Sequence, residues 1–355
     1  MKQVAILGTG LIGATLGLAI GRLRPSWIRI GYDRAEVLSV ARRCGAIDEP
    51  ATSAEEAVRE ADLVLLATPL RAMEALIEEL APHLRPGTLL TDTGSVKAPL
   101  LHHVRQHLPA SVYFLGGHPL AGSERPGPEH ADPQRLEGAF YVLCPRDEES
   151  WRASGFFLEL LLEIGLRLLR LDPETHDRIV AITSHLPQLV ATVLMQTIGE
   201  LCREEEPILA GGGLRDMTRI ADSPFTIWRD ILEQNRPAVL SALSAFVRHM
   251  ERLYSELEFR SWRAIEARFE QARNHRSALR TEPASPASAA LQVELPIRSG
   301  FLEALLACLG EQQPVGLQLQ GRADNRLLYL RFPGEPEARN ARERLLEAGY
   351  RVSAP

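Results

Sequence analysis

Short apolar runs alternate with amphipathic segments over the first 150 residues, and long helical periods replace them afterwards. QVAILG from Gln3, WIRIGYD from Trp27, ADLVLLATP from Ala61, GTLLTDTG from Gly87, VYFLGG from Val112 and AFYVLCP from Ala139 are almost continuously hydrophobic. Strands buried on both faces of a parallel sheet have that texture. Between them SAEEAVRE, RAMEALIEELAPHL and VKAPLLHHVRQHL carry apolar residues at helical spacing. The alternation predicts an α/β fold over residues 1–150, a doubly wound sheet with helices on its faces.

From Trp151 to residue 280 the pattern is that of an all-α second domain, in which only LRLLRLD from Leu166 looks extended. A long helix is expected from Pro173, with Asp172 as its N-cap. A second helical region runs from Ser223 to Leu279, and its apolar stripe of Ile227, Ile231, Leu240, Leu243 and Phe246 is wide enough to bury against more than one neighbour. Such a domain often pairs with a second copy, so a homodimer is expected. TEPASPASAA from Thr281 has no apolar period and reads as a linker over 281–290. The last stretch, 291–355, spells strand, helix, strand, strand, helix, strand, the order of a small ferredoxin-like βαββαβ domain.

Composition narrows the partners. The chain has 355 residues, of which 45% are hydrophobic and 24% charged, as in ordinary globular proteins. Its 40 basic and 46 acidic residues leave a net charge of −6, which offers no field to hold a nucleic acid. Cys44, Cys144, Cys202 and Cys308 are far apart and suggest neither a disulfide framework nor a thiolate metal site. Lys2 and the apolar run from Val4 to Ile20 imitate a secretory signal, but Gly8, Gly10, Gly13 and Gly17 interrupt it, so folded structure is expected there. Elsewhere no stretch approaches the roughly eighteen apolar residues of a membrane span, and a cytoplasmic protein without a membrane partner is the expectation.

Gly8, Gly10 and Gly13 form G-x-G-x-x-G directly after the first expected strand, with Leu11 and Ile12 inside the loop. Such glycines permit a tight turn, backbone approach to a pyrophosphate and close helix–strand packing, while the helix N-terminus attracts the anion. About twenty residues later Asp33 ends the second strand, where a carboxylate accepts bonds from a ribose and repels a 2′-phosphate. The pair points to a Rossmann-type domain that prefers NAD, with Arg34 tempering the preference. Thr68 and Pro69, at the end of the ADLVLLATP strand, would lie over the cofactor.

Four further clusters could carry chemistry. TDTGSVK places Ser95 and Lys97 at a strand-to-helix junction, where they could bond a ligand or merely cap the helix with Lys97 in solvent. GGHPLAGSE sets His118 and Glu124 among glycines, and an imidazole there suits proton transfer near neutral pH. HDRIVAITSHLPQ carries His176, Asp177, Ser184, His185 and Gln188 on one helix, and His176 reads as a core histidine. GGGLRDMTRIADSPFTIW offers Arg215 and Arg219, four apart and able to share a helix face toward a carboxylate, followed by Trp228. A structural ion pair with Asp216 is the plainer alternative. His102, His103 and His107 crowd one helix without an H-E-x-x-H pattern, so a solvated face is expected and no metal.

In their order behind a glycine loop, ILGTGLIGATLG, TDTGSVK, GGHPLAGSE, THDRIVAITSHLPQL and GGGLRDMTRIADSPFTIW resemble the prephenate dehydrogenase family, which includes arogenate and cyclohexadienyl dehydrogenases. The resemblance covers residues 1 to about 275. It implies NAD-dependent oxidative decarboxylation of prephenate to 4-hydroxyphenylpyruvate, or of arogenate to tyrosine. It implies His118 as the catalytic histidine on the ring hydroxyl, with Ser95 beside it. Arg219 would bind a substrate carboxylate, and Arg215, His185, Glu124 and Trp228 would line the pocket. Leu214 and Gln188 depart from the common pattern, where an aromatic and a second histidine often stand; this bears on pocket shape. The C-terminal order resembles an ACT-type regulatory domain, which implies tyrosine as a possible feedback ligand. Two other readings fit parts of the chain: a β-hydroxyacid dehydrogenase, disfavoured because 176–200 contains no lysine, and a non-catalytic dinucleotide or amino-acid sensor.

Overall fold

A computed structural model describes residues 2–121, 126–202, 209–279, 289–295, 300–321 and 326–354. The strands are β1 (Gln3–Leu7), β2 (Ile28–Tyr32), β3 (Glu49–Pro50), β4 (Leu63–Leu66), β5 (Leu89–Asp92), β6 (Tyr113–Pro119), β7 (Phe140–Pro145), β8 (Arg167–Arg170), β9 (Ala290–Glu294), β10 (Gly316–Gln320), β11 (Leu327–Arg331) and β12 (Val352–Ser353). They form one sheet in the order β3-β2-β1-β4-β5-β6-β7-β8-β10-β11-β9-β12. From β3 to β6 the pairing is parallel, as near-continuous apolar strands require when helices cover both faces. The order reverses direction between β1 and β4, the switch point where such sheets bind ligands beyond the strand ends. Register there is level: Leu7 lies opposite Tyr32 and Leu66, and Leu66 opposite Asp92.

The chain divides into two compact units, residues 1–176 with 286–355, and residues 177–285. That differs from the three-part division expected from sequence. Residues 151–176 belong to the α/β unit, because β8 pairs parallel with β7 and the helix Gly155–Ile164 buries nearly every side chain. Read along the chain, that helix looks like the start of a helical domain; it is instead apolar all round because it is covered on several sides.

The C-terminal strands extend the same sheet. β10 pairs antiparallel with β8, placing Gly316 opposite Leu169 and Leu317 opposite Leu168. An edge strand offers unpaired backbone groups, and here the terminal segment occupies them. Trp151 Nε1 donates to Gln313 Oε1 at 3.0 Å in the buried seam. Glu159 accepts from the backbone N–H groups of Gly300 (3.0 Å) and Leu302 (3.3 Å) at the start of the helix Phe301–Leu309. Ala290 already belongs to β9, so that strand starts inside the segment expected as linker.

The second unit is helical: Leu186–Leu201, Gly212–Thr218, Phe225–Gln234, Arg236–Glu258 and Trp262–Ala278 are its main elements. Asp172 caps the helix Pro173–Val180 as expected, accepting from Thr175 N at 2.8 Å. A π-turn, Ala181–His185, joins that helix to Leu186–Leu201. The whole stretch Pro173–Leu201 is long and apolar enough, by length and composition, to cross a membrane, contrary to the expectation that no segment approaches this. Of the expected apolar stripe, Ile231 is buried, whereas Ile227 is 58% and Leu240 50% exposed in the single chain.

Candidate active site

The glycine loop behaves as a cofactor cradle should. Gly8 has φ +94°, and a Cβ there would stand 2.5 Å from the Ala67 carbonyl; a Cβ on Gly13 would stand 1.9 Å from Gly8 O. Both glycines are therefore demanded by packing between the loop, β4 and the helix Leu11–Leu23. Gly10 is different, since nothing lies within 4 Å of the Cβ position. Its backbone faces open space at the N-terminus of a helix that no side chain caps, with Leu11 and Ile12 in the first turn. Asp33 Oδ2 accepts from Thr9 N at 2.7 Å, tying the end of β2 to the loop, and Oδ1 accepts from Arg34 N at 2.8 Å. Arg34 is exposed. Thr68 Oγ1 is buried with no partner among the described residues, and Pro69 caps the following helix Leu70–Leu80. An open cradle, an uncapped helix start, a carboxylate at the end of β2 and an orphaned hydroxyl at the switch point fit a dinucleotide.

Beyond β5 and β6 lies the candidate chemistry. His118 stands near the end of β6, opposite Val142 of β7. Its Nδ1 is 2.9 Å from Nε2 of His176, with the rings edge to face. His176 is buried, as expected of a core histidine, but its partner makes it part of the site. Where Nδ1 of His118 carries the shared proton, Nε2 presents the basic lone pair. The 58 residues between the two histidines hide the contact from sequence spacing.

Lys97 is not solvated. At 1% exposure it forms an ion pair with Asp92, itself at 0%, and donates to Gly117 O at 2.8 Å. Asp92 Oδ1 accepts from Gly117 N at 3.0 Å and Oδ2 from Gly94 N at 2.7 Å. Buried charges persist only when paired and fully bonded, and removing one partner of such a pair costs about 3–5 kcal/mol. Ser95, half-buried, lies in the turn between Gly94 and Lys97; it does not cap the helix Ala98–His107, whose N-cap is Lys97. Burial, together with the Asp92 charge, pushes the Tyr141 phenol above its ordinary range.

In the helical unit His185 is buried in the π-turn, a distortion often found at functional sites. Asn235 Nδ2 donates to Asp177 O at 2.8 Å and lies 3.3 Å from His185 Nδ1. With Asn235 donating, Nδ1 of His185 accepts and its proton sits on Nε2. Trp228 packs edge-on against that ring at 5.8 Å. Asn235 carries no motif signal and is not foreseen in the sequence. Arg215 and Arg219 are both exposed, and the helix Gly212–Thr218 ends one residue before Arg219, which opens a tighter 3₁₀ turn. The i, i+4 spacing of the two arginines therefore spans the change from α-helix to 3₁₀ turn. Glu124 lies outside the described residues.

Among the histidines expected on a solvated face, His103 Nε2 and His107 Nε2 lie 3.3 and 3.7 Å from Glu78 Oε1, close enough for the three to share an ion. His103 Nε2 is also 3.1 Å from Glu74 O, so the ligand atom is already engaged.

Residues 16–169 match the family described as prephenate dehydrogenase, nucleotide-binding domain, and residues 172–271 match prephenate dehydrogenase, dimerization domain. A prephenate dehydrogenase of Lactococcus lactis is 31% identical over 97% of this chain and 97% of its own length. One from Bacillus subtilis is 32% identical over 98% of this chain and 96% of its own. The crystal structure of prephenate dehydrogenase from Aquifex aeolicus in complex with hydroxyphenyl propionate and NAD+ superposes with a TM-score of 0.72 at 29% identity, covering 79% of this chain and 98% of that one. The chain belongs to the prephenate dehydrogenase family.

Proposed function

We propose that this protein is an NAD-dependent dehydrogenase that converts prephenate or arogenate by oxidative decarboxylation to 4-hydroxyphenylpyruvate or tyrosine. The observation that carries the reading is His118 at the end of β6, its ring bonded to the buried His176, on the sheet edge that also presents the Gly8–Gly13 cradle and Asp33. Gly10, Leu11 and Ile12 hold the pyrophosphate, Asp33 and Arg34 the ribose end, and Thr68 and Pro69 the face of the dinucleotide. Bound NAD+ supplies the hydride acceptor. His118 Nε2 takes the ring hydroxyl proton as the carbinol carbon loses its hydride, and Ser95 holds the same oxygen. The bond to the ring carboxylate then breaks, carbon dioxide leaves, its electron pair completes the aromatic ring, and the resulting phenolate oxygen takes the proton back from His118. A positioned base of this kind contributes typically about 10²–10⁴-fold.

Arg219 pairs with a substrate carboxylate, and Arg215, His185, Trp228 and Glu124 shape the substrate pocket. The helical segment forms a homodimer interface, a reading supported by the family match over 172–271 and by its exposed apolar residues, including Ile182, Val193 and Leu240. The terminal segment 290–354 is an ACT-like regulatory module for an aromatic amino acid such as tyrosine; its antiparallel order β12-β9-β11-β10, with helices after β9 and β11, supports the ferredoxin-like description.

The test is NADH formation from NAD+ with prephenate and, separately, arogenate. His118→Asn should lower kcat by at least 100-fold with NAD+ affinity unchanged, and Arg219→Ala should chiefly raise KM for the dienol. A His118→Asn enzyme with wild-type turnover would remove His118 from the chemistry.

A further inference from the structure

Two motifs that lie apart in the chain, TDTGSVK and GGHP, form one buried device, and the proposed chemistry does not use its charges directly. Asp92 and Lys97 are both almost wholly buried, and together they hold both backbone groups of Gly117, the residue before His118: Asp92 accepts its N–H and Lys97 donates to its C=O. The same carboxylate accepts from Gly94 N and so fixes the turn that carries Ser95. The glycines make room for this. A Cβ on Gly117 would stand 2.4 Å from Asp92 O and 2.8 Å from the Tyr141 ring, and a Cβ on Gly94 2.9 Å from Asp92 Oδ2. Tyr141 closes the arrangement from β7, its hydroxyl 3.5 Å from Asp92 O.

An ion pair at this depth stabilises little for the desolvation it requires, and apolar residues of similar size would pack as well. What apolar residues lack is directed bonding to one peptide. We propose that the Asp92–Lys97 pair is a positioning device that sets the His118 imidazole and the Ser95 turn in register with one another, so that the two groups meet a single substrate hydroxyl. Lys97 and Asp92 are positioning residues; neither needs to touch substrate. The proposal rests on His118 as the base.

Two variants test it. Asp92→Asn with Lys97→Met removes both charges, avoids an uncompensated one and loses the bond to Gly117 O. Lys97→Arg keeps the charge with a differently placed donor. In each variant that melts as a single cooperative species, kcat should fall at least 10-fold, KM for the dienol and Kd for NAD+ should stay within about twofold, and the apparent pKa on the acid limb of kcat should move by half a unit or more. A purely structural role would leave kcat and the acid limb at wild-type values once the fold is intact, and that result overturns the proposal. His118→Asn is measured in parallel: if it keeps full turnover, the underlying base assignment has failed, whereas loss there with a fully active double variant defeats the positioning role alone.

Discussion

Glycines 10 and 13 separate cofactor binding from folding in one pair of substitutions. Alanine at position 10 adds a methyl where nothing stands within 4 Å, at φ −68° and ψ −156°, a conformation open to alanine. Alanine is a poorer N-cap than glycine by roughly 0.5–1 kcal/mol, and the loss of unfolded-chain freedom returns about 0.4–1 kcal/mol, so the two nearly cancel. At about 2–4 °C per kcal/mol for a unit of this size, Tm should move by less than about 3 °C. The methyl does occupy the approach to the helix N-terminus. Losing one charge-assisted backbone bond to a phosphate is a change of roughly 1.5–3 kcal/mol, or about 10- to 150-fold in Kd for NAD+. Alanine at position 13 must instead drive its Cβ away from Gly8 O at 1.9 Å, and both atoms belong to backbone or its immediate substituent. Overpacking of that severity costs at least about 1–3 kcal/mol before any cofactor is added. Scanning calorimetry of the apoprotein and a fluorescence titration with NAD+ read the two quantities separately. If Gly10→Ala binds NAD+ as tightly as wild type, the loop is a packing turn and the cradle assignment is wrong.

Burial raises the Glu159 carboxyl above its ordinary value of 4.5, against the opposing pull of the Gly300 and Leu302 N–H bonds and of Arg24, with Glu163 adding to the rise. A raised folded-state value means that the contribution to stability is complete below 4.5 and is lost as pH rises through the folded value. The Tm of Glu159→Gln relative to wild type should therefore increase as pH is taken upward from 4.5, and a difference that stays flat with pH would mean that the buried carboxyl is not the titrating group. For the proposed homodimer, Leu240→Asp places a charge on an exposed apolar helix face; light scattering should show one 39.3 kDa chain instead of two, and an unchanged mass would move the interface elsewhere.

Much of the first unit is legible in sequence because its signals are local. Seven strand runs and the glycine loop announce themselves through composition and spacing within a few residues, and Asp172 caps its helix where the Asp-Pro pair says it should. What stays hidden depends on strand order. Lys97 reads as a solvated side chain because lysine is seldom buried, and its acceptors, Asp92 and Gly117 O, converge only when β5 and β6 lie side by side in register. His176 reads as inert core because the one ring that gives it a role stands 58 residues upstream. The short β3 escapes for the opposite reason: two residues, Glu49 and Pro50, have no pattern to show.

The terminal module extends the same lesson from residues to domains. Its strand and helix order is readable, yet order alone suggests a tethered third body, and the pairing of β10 with β8 makes it a continuation of the N-terminal sheet. β8 leads through Leu171, whose N–H donates to Leu143 O on β7, to Asp172 and thence to the helix bearing His176. β7 in turn pairs with β6 at His118 itself. The β10 edge and the two histidines of the candidate site are thus joined through β8, by successive backbone ladders to β7 and β6 on one side and by the chain from Leu171 to His176 on the other.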